Sequence, residues 1–244
     1  MERTVEVATT YNKKYYDLIG KRMVESFVRH WPKHIKLHIY WQEAEPEIME
    51  DNLVYHELYQ VQPQLKSWVD SHTDRKYHGW REDRGKFVWK NDGVKFSHKV
   101  FAQTHRIRNS EADILLYSDA DTLYHAEPDL DYLSEICPAD SLCTFFDRPK
   151  FRDETGFYMH NPQHPKAKQW ADRLEEIYLS GEVWTYEKDR AADQYTMAFG
   201  RDSFKDCKQM DLMTYHEGVD PKDPVPTSPL NKFLKHLKGE KKQS

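Results

Sequence analysis

Long apolar runs and paired cysteines are both missing from this chain of 244 residues. No uncharged apolar run approaches the about 18 residues that a membrane-spanning helix needs, and residues 1–6 lack the apolar stretch of a signal peptide. The three cysteines, Cys137, Cys143 and Cys207, are an odd number without metal-ligand spacing, which indicates neither a disulfide framework nor a zinc site. We therefore expect a soluble cytoplasmic protein with no membrane span.

An excess of positive charge is missing as well. The sequence has 36 Lys and Arg against 41 Asp and Glu, a net charge of -5, which excludes a generally basic nucleic-acid coat protein. Aromatic residues make up 14% of the chain, and disordered chains are poor in these residues. The length fits one large domain or two small ones.

One segment departs from this acidic average. Residues 75–95 contain seven Lys and Arg against three Asp and Glu, a local net charge of +4. Tyr77, Trp80, Phe87 and Trp89 are interleaved with these charges. The pattern favours an anionic ligand, and two interpretations stay open: a surface that binds nucleic acid, or a lid on the side of a phosphate-containing ligand.

The apolar patterning predicts an α/β fold with a mixed, mostly parallel central sheet flanked by helices. Strands are expected near residues 5–10, 35–40, 53–58, 114–117, 142–146 and 156–159. Helices are expected near residues 16–30, from 95, over 128–136, from 164, and over 189–199. Residues 60–94 have no clean periodicity and are expected to be irregular.

The C-terminal part is predicted to be a separate unit. Residues 221–229 carry four prolines, which indicates a linker or lid without regular structure. We therefore divide the chain into a main domain over 1–220, and a proline-rich linker with a C-terminal tail over 221–244.

Two Asp-x-Asp triplets occur, and their contexts differ. Asp129 and Asp131 directly follow Pro128, as acidic residues at the start of a helix do. Asp119 and Asp121 instead follow the continuous apolar strand 114–117, at the carboxyl end where open α/β sheets bind their ligands. Two carboxylates at this position fit a divalent cation that bridges a diphosphate.

These residues, with three further segments, resemble the GT-A-fold glycosyltransferases, and most closely the family-8-type retaining enzymes. The further segments are the first strand ending at Thr9, Thr10 and Tyr11, the pair Asp193-Gln194, and the C-terminal His236-x-x-Gly239-x-x-Lys242. Residues 95–102 and 154–157 also resemble short transferase-like proteins of bacteriophages and bacteria. For a phage protein, the location would be the host cytoplasm.

The resemblance implies a role for each of these positions. Asp119, Asp121 and His236 would be the ligands of Mn²⁺ or Mg²⁺, and Gly239 and Lys242 would contact the diphosphate of a UDP-sugar or another nucleotide sugar. Thr9, Thr10 and Tyr11 would lie at the nucleoside. Asp193 would bind sugar hydroxyls, with Gln194 near the anomeric carbon. The family-8 type also implies a C-terminal tail over the active site.

Elementary chemistry adds three residues to this set. Negative charge builds on the diphosphate as the sugar leaves, so cations there lower the barrier; Lys95 and Lys99, spaced i, i+4 on one helix, would supply such charge. Of the neighbouring carboxylates Asp153 and Glu154, one would act as a base in an inverting reaction or would position the acceptor in a retaining one, and we assign this role to Glu154. Structural roles stay open for several positions: a helix cap at Asp193, a buried ring at Tyr11, a solvated helix face at Lys95.

The acceptor and the reaction class have alternatives. The segment 154–157 replaces the acceptor segment usual in family 8, and no Pro-Trp follows Lys242, so the sugar and the acceptor stay open. A hydroxymethylated base in phage DNA, a surface glycan and a protein hydroxyl are the candidate acceptors. A nucleotidyltransferase ranks behind, because residues 8–12 contain no glycine for a nucleotide loop. A non-catalytic nucleotide-sugar-binding protein is the third possibility.

Overall fold

A computed structural model of the protein describes residues 3–43, 45–186 and 190–237. Gly239 and Lys242 lie outside the described residues. The strands are β1 Val5–Asn12, β2 Lys36–Gln42, β3 Leu53–Glu57, β4 His78–Arg81, β5 Lys86–Asp92, β6 Ile114–Ser118, β7 Thr122–Tyr124, β8 Cys143–Phe145, β9 Asp147–Arg148, β10 Arg152–Asp153, β11 Phe157–His160, β12 Met210–Asp211 and β13 Leu234–His236.

Ten α-helical segments occur in the described part of the chain. They are α1 Lys13–Tyr15, α2 Lys21–His30, α3 Leu58–Val61, α4 Pro63–Ser71, α5 Gly93–Asn109, α6 Leu130–Ile136, α7 Ala167–Leu179, α8 Asp193–Asp202, α9 Leu212–Tyr215 and α10 Pro224–Thr227. A π-helical turn over Tyr16–Gly20 joins α1 to α2. None of the described helices is long and apolar enough to cross a membrane.

Seven strands form the central sheet in the order β12-β8-β11-β6-β1-β2-β3. β11 runs antiparallel to both neighbours, and the other paired strands of this sheet are parallel. Apolar cores cover both faces: Leu116 packs in the core with α2, while Leu115 and Tyr117 pack in the core with α5 and α7. This double burial explains the continuous apolar run of β6. The predicted mixed, mostly parallel α/β fold is confirmed.

The sheet changes direction of growth at β1. β2 and β3 follow β1 on one of its sides. β6 pairs with the other side of β1, where Val5–Ala8 lie opposite Ile114–Tyr117. Such a switch point opens a crevice at the carboxyl ends of the strands. The crevice is therefore bordered by the residues that follow β1 and β6.

The expectation that residues 60–94 are irregular was wrong. Helix α4 begins with Pro63 at its first position and buries Leu65 and Trp68. β4 and β5 then form an antiparallel hairpin, turned at Gly85 with φ +57, a value that glycine adopts without strain. Both elements are short, and the hairpin exposes aromatic side chains, so neither leaves a clear apolar period in the sequence.

The proline-rich segment also has more structure than expected. Pro224 starts the single turn α10, where its missing N–H costs no hydrogen bond. Leu230, Phe233 and Leu234 are at most 1% exposed and belong to the same core as α2. The expectation of no regular structure over 221–229 was therefore wrong, whereas the proposed domain division at residue 220 stays a prediction.

Candidate active site

The triplet Asp119-Ala120-Asp121 forms a tight turn directly after β6. The backbone N–H of Asp119 donates to the carbonyl of Gly156 at 3.1 Å, and Thr122 N–H donates to the Asp119 carbonyl at 2.9 Å. The turn sends the chain into β7, so both carboxylates stay at the carboxyl edge of the sheet. The second triplet is different: Asp129 caps α6 by accepting from Tyr132 N–H at 2.9 Å.

A strand from the far end of the chain brings His236 to this turn. β13 pairs antiparallel with β7, with His236 opposite Thr122, and Leu237 N–H donates to the Asp121 carbonyl at 2.8 Å. The imidazole Nε2 of His236 lies 3.0 Å from Asp121 Oδ1. A Cβ at position 156 would come within 2.3 Å of the imidazole ring, so only glycine fits at Gly156.

Asp119, Asp121 and His236 fit a divalent cation. One ligand atom from each residue lies within 4.8 Å of the others, and Asp121 and His236 are 7% and 9% exposed. Carboxylate oxygens suit both Mg²⁺ and Mn²⁺, and an imidazole in the set favours the softer Mn²⁺. The structure thus brings together the three residues that the resemblance named as metal ligands.

Proton equilibria at this cluster are shifted by burial and by the neighbouring charges. Burial alone would lower the pKa of His236, but its hydrogen bond to Asp121 and nearby carboxylates raise it above the usual value. Burial raises the pKa of Asp119, and Lys99 opposes that rise. A cation bound to the imidazole must displace a proton from it, so metal binding at this cluster should strengthen as pH rises.

Lys99 of helix α5 joins the triplet to a carboxylate on another element. Its Nζ lies 2.6 Å from Asp119 Oδ1 and 2.6 Å from Asp193 Oδ2, and its side chain is 10% exposed. Although burial alone would lower it, the pKa of Lys99 is held well above its usual value by these two carboxylates. Lys99 is therefore a fixed cation within the site rather than part of a solvated helix face.

Asp193 and Gln194 lie at the start of α8 and are both buried. Ala192 is the N-cap, so Asp193 is not the cap that one interpretation of the sequence allowed. Its Oδ1 accepts from Gln194 N–H at 2.9 Å, while Oδ2 faces Lys99. Gln194 Nε2 donates to the Phe151 carbonyl at 2.8 Å, which fixes its amide.

Glu154 lies on the other side of His236. Its Oε2 is 2.8 Å from Arg148 Nη1, and its Oε1 accepts from Gly156 N–H at 3.1 Å and lies 3.9 Å from His236 Nδ1. Glu154 is 5% exposed and lies between the Arg148 guanidinium and the metal cluster. The neighbouring Asp153 forms a buried ion pair with Arg201 at 2.9 Å. Burial raises the pKa of Asp153 to about 6.

The predicted nucleoside residues lie at the carboxyl end of β1, and their side chains are engaged within the protein. Thr9 is fully buried, and Thr10 Oγ1 donates to the Tyr40 carbonyl at 2.6 Å. The Tyr11 ring is 3% exposed and packs against Tyr16, with 5.0 Å between ring centroids. A role for Thr9, Thr10 and Tyr11 at a nucleoside stays a prediction.

Lys95, the second predicted cation, lies one turn before Lys99 on α5. Its Nζ donates to the Tyr15 hydroxyl at 3.0 Å and lies 5.0 Å from the centre of the Tyr15 ring. Among the described residues, no ion pair or hydrogen bond joins Lys95 to Asp119 or Asp121. Its contribution to phosphate binding stays a prediction.

Two parts of the site escaped the sequence analysis. Arg148, the partner of Glu154, lies in the two-residue strand β9, which carries no motif, so nothing in the sequence marked it. Gly156 did leave a signal, because an isolated glycine beside a strand often marks a close approach of another group. That group is the imidazole of His236.

Three solved glycosyltransferase structures share this architecture. Mouse xyloside xylosyltransferase 1 aligns with a TM-score of 0.51 and 13% identity over 86% of this chain and 85% of that chain. GlyE of Streptococcus pneumoniae aligns with a TM-score of 0.56 and 15% identity over 98% of this chain and 55% of that chain. WbbM, a bifunctional glycosyltransferase, aligns with a TM-score of 0.54 and 14% identity over 98% of this chain and 46% of that chain.

Comparison by sequence gives no relative: neither a protein-family model nor a curated protein matches the chain. The chain spans about half the length of the GlyE and WbbM chains. At 13 to 15% identity the structural matches show a shared fold and nothing finer. The chain therefore has the GT-A-like fold of these glycosyltransferases, as the resemblance in its sequence predicted.

Proposed function

We propose that the protein is a metal-dependent glycosyltransferase that moves a sugar from a nucleotide-sugar donor to an acceptor hydroxyl. One observation carries the proposal: Asp119, Asp121 and His236 converge at the switch point of the sheet, and Lys99 links this cluster to Asp193. A diphosphate at the cluster and a sugar at Asp193 would thus lie side by side. The fold shared with three glycosyltransferases supports the same activity.

Each residue of the site would have its own role in the proposed transfer. Bound at Asp119, Asp121 and His236, Mn²⁺ or Mg²⁺ would supply positive charge to the departing diphosphate. Asp193 would accept hydrogen bonds from sugar hydroxyls, and Lys99 would hold its carboxylate in place. Gln194 would lie near the anomeric carbon, as the resemblance implies, and a retaining outcome would follow.

The other residues of the site fit positioning roles. Glu154, held by Arg148 and facing His236 Nδ1 at 3.9 Å, would orient the imidazole. Gly239 and Lys242 would contact the diphosphate, and residues 221–244 would cover the donor. The described residues that precede them, His236 and Leu237, already contact Asp121.

Other functions fit these features less well. A nucleotidyltransferase would place phosphates on a glycine-rich loop, and residues 8–12 contain no glycine. A binding protein without activity would not need the metal cluster, Lys99 and Asp193 together. Metal-dependent turnover separates it from an enzyme.

The test is hydrolysis of a panel of nucleotide sugars in the absence of acceptor. With Mn²⁺ or Mg²⁺ we expect release of free sugar from one or a few donors, and excess EDTA should abolish it, because the diphosphate charge is then uncompensated. Full turnover in EDTA would contradict the metal role. No hydrolysis or transfer from any donor would leave a binding protein.

For the acceptor we propose DNA that carries a hydroxymethylated base, ahead of a surface glycan or a protein hydroxyl. The β4–β5 hairpin carries the basic aromatic segment and leaves Phe87 56% and Trp89 49% exposed, on one face of β5. A hydrogen bond of 2.7 Å from Ala191 N–H to the Lys90 carbonyl joins the hairpin to the segment that precedes Asp193. Exposed aromatic rings beside lysines are suited to unpaired bases.

Not every cation of the hairpin is available to phosphate. Arg81 pairs with Asp83 through two hydrogen bonds of 2.8 Å. Replacing Arg84, Lys86 and Lys90 together by Ala should therefore weaken DNA binding and reduce the slope of log K against log salt by roughly 2 to 3. The measurement is a salt titration of DNA affinity, with donor hydrolysis followed on the same variant.

The two readouts separate the two interpretations of the segment. Loss of donor hydrolysis with no change in DNA affinity would identify the hairpin as a donor lid. A protein that never binds DNA containing hydroxymethylpyrimidine, at low salt and with donor present, would remove the DNA acceptor.

A further inference from the structure

A cavity of about 360 Å³ lies between residues 76, 77 and 91 on one side and residues 183, 184, 190 and 191 on the other. Its walls include the rings of Tyr77 and Trp184, which contact each other with centroids 5.2 Å apart. Its position is close to the proposed active site along the chain: Ala191, which lines it, comes two residues before Asp193. None of the residues discussed above as donor or metal ligands lines it.

The cavity contains polar atoms that the protein does not use. Asn91 is 8% exposed, and its Oδ1 is buried without a hydrogen-bond partner among the described residues. The indole Nε1 of Trp184 is likewise buried without one. Since an unsatisfied buried polar group destabilises the folded protein, a ligand that donates to the Asn91 oxygen would remove that destabilisation.

The charged lining residues of the cavity are both cationic. Lys76 and Arg190 are exposed and line it. Lys76 Nζ lies 4.8 Å from the centre of the Tyr77 ring and 3.9 Å from the Asp74 carboxylate, and the Arg190 guanidinium lies over the Tyr195 ring. An anionic group at this rim would meet two positive charges beside an aromatic wall.

We propose that this cavity binds one nucleotide of the acceptor strand. The base would stack on the half-buried aromatic wall of Tyr77 and Trp184 and donate a hydrogen bond to Asn91 Oδ1. Its neighbouring phosphate would lie between Lys76 and Arg190. The inference rests on the proposed function, because it places the acceptor beside Asp193, and it adds the residues that hold the acceptor.

A nucleotide fits these features better than a neutral sugar does. Pockets that receive an unstacked base combine aromatic walls with a few hydrogen bonds to the edge of the base. A neutral glycan would present no negative charge to Lys76 and Arg190, so the competing ligand is an acidic sugar. Both compounds are therefore arms of the test.

The test is the binding of short single-stranded oligothymidylate, by calorimetry, at low salt and in the presence of saturating UDP and Mn²⁺. Asn91→Ala should raise the Kd roughly tenfold, the effect of about one hydrogen bond. The double variant Lys76→Ala, Arg190→Ala should reduce the salt slope by about 0.7, since both cations face the same phosphate and a single strand loses about 0.7 per phosphate contact. Lys205→Ala, an exposed lysine outside the hairpin, is the control and should bind as the wild type.

Three results would overturn the proposal. The first is oligothymidylate affinity that neither variant changes; the surface double variant keeps this readable even if Asn91→Ala fails to fold. The second is oligothymidylate binding that occurs without UDP and is lost when saturating UDP is added, which would make the cavity the donor nucleoside site. The third is binding of glucuronic acid, with the same dependence on Asn91, in place of the oligonucleotide. Failure of the proposed function appears separately, as absent donor hydrolysis by the wild type.

Discussion

Asp121→Asn is expected to abolish metal-dependent binding of a nucleotide-sugar donor, whereas Asp129→Asn should leave it unchanged. Asp121 is 7% exposed, and its Oδ1 lies 3.0 Å from His236 Nε2, inside the proposed metal cluster. An amide in its place keeps the shape of the side chain but removes the negative charge that attracts a divalent cation. Calorimetric titration with Mn²⁺, followed by donor, measures both steps.

Asp129→Asn is the matched control because the two residues belong to identical motifs in different settings. Asp129 caps α6 through Tyr132 N–H, and Asn is as good a cap as Asp. The control should therefore bind metal and donor with wild-type affinity. Equal losses from the two variants would mean that the wrong triplet has been assigned to the metal.

The sequence predicted the strand–triplet arrangement because the cause is local. Four consecutive apolar residues, 114–117, are followed by Ser118 and the Asp119-Ala120-Asp121 triplet, and this order determines both the burial of β6 and the position of the carboxylates at its end. His236 was found in another way, through the resemblance alone. No local rule predicts that β13 pairs with β7 across more than a hundred residues of chain.

Contacts between distant elements were out of reach for the same reason. The sequence favoured Lys99 as a cation near phosphate, but its ion pairs with Asp119 and Asp193 join α5, the β6 turn and α8. The β4–β5 hairpin was missed because Phe87 and Trp89 face solvent, so their aromatic character does not indicate burial. Helix α4 was missed because it is too short to leave a clear apolar period. That departure from the usual apolar pattern coincides with the surface we assign to the acceptor.

The tail of the chain leads to the second large effect. His236→Ala should weaken Mn²⁺ binding by about 100-fold or more, because loss of an outer-shell partner alone typically costs 10- to 100-fold. The fold should survive this change, since the hydrogen bonds that hold β13 to β7 are made by the backbone. Metal titration together with urea unfolding shows whether affinity and stability separate as expected.

Deleting residues 230–244 should act in the opposite way and unfold the protein. Leu230, Phe233 and Leu234 are at most 1% exposed, and each such side chain contributes about 2 to 5 kcal/mol. Their summed loss is comparable with the entire stability of a domain, about 5 to 15 kcal/mol.

A shorter deletion, 238–244, removes Gly239 and Lys242 but none of these three side chains, so it should raise the Kd for donor without a comparable loss of stability. If the long deletion stays folded in urea titrations, the tail packs less tightly than its burial indicates. If the short deletion leaves the donor Kd unchanged, Gly239 and Lys242 do not contact the diphosphate.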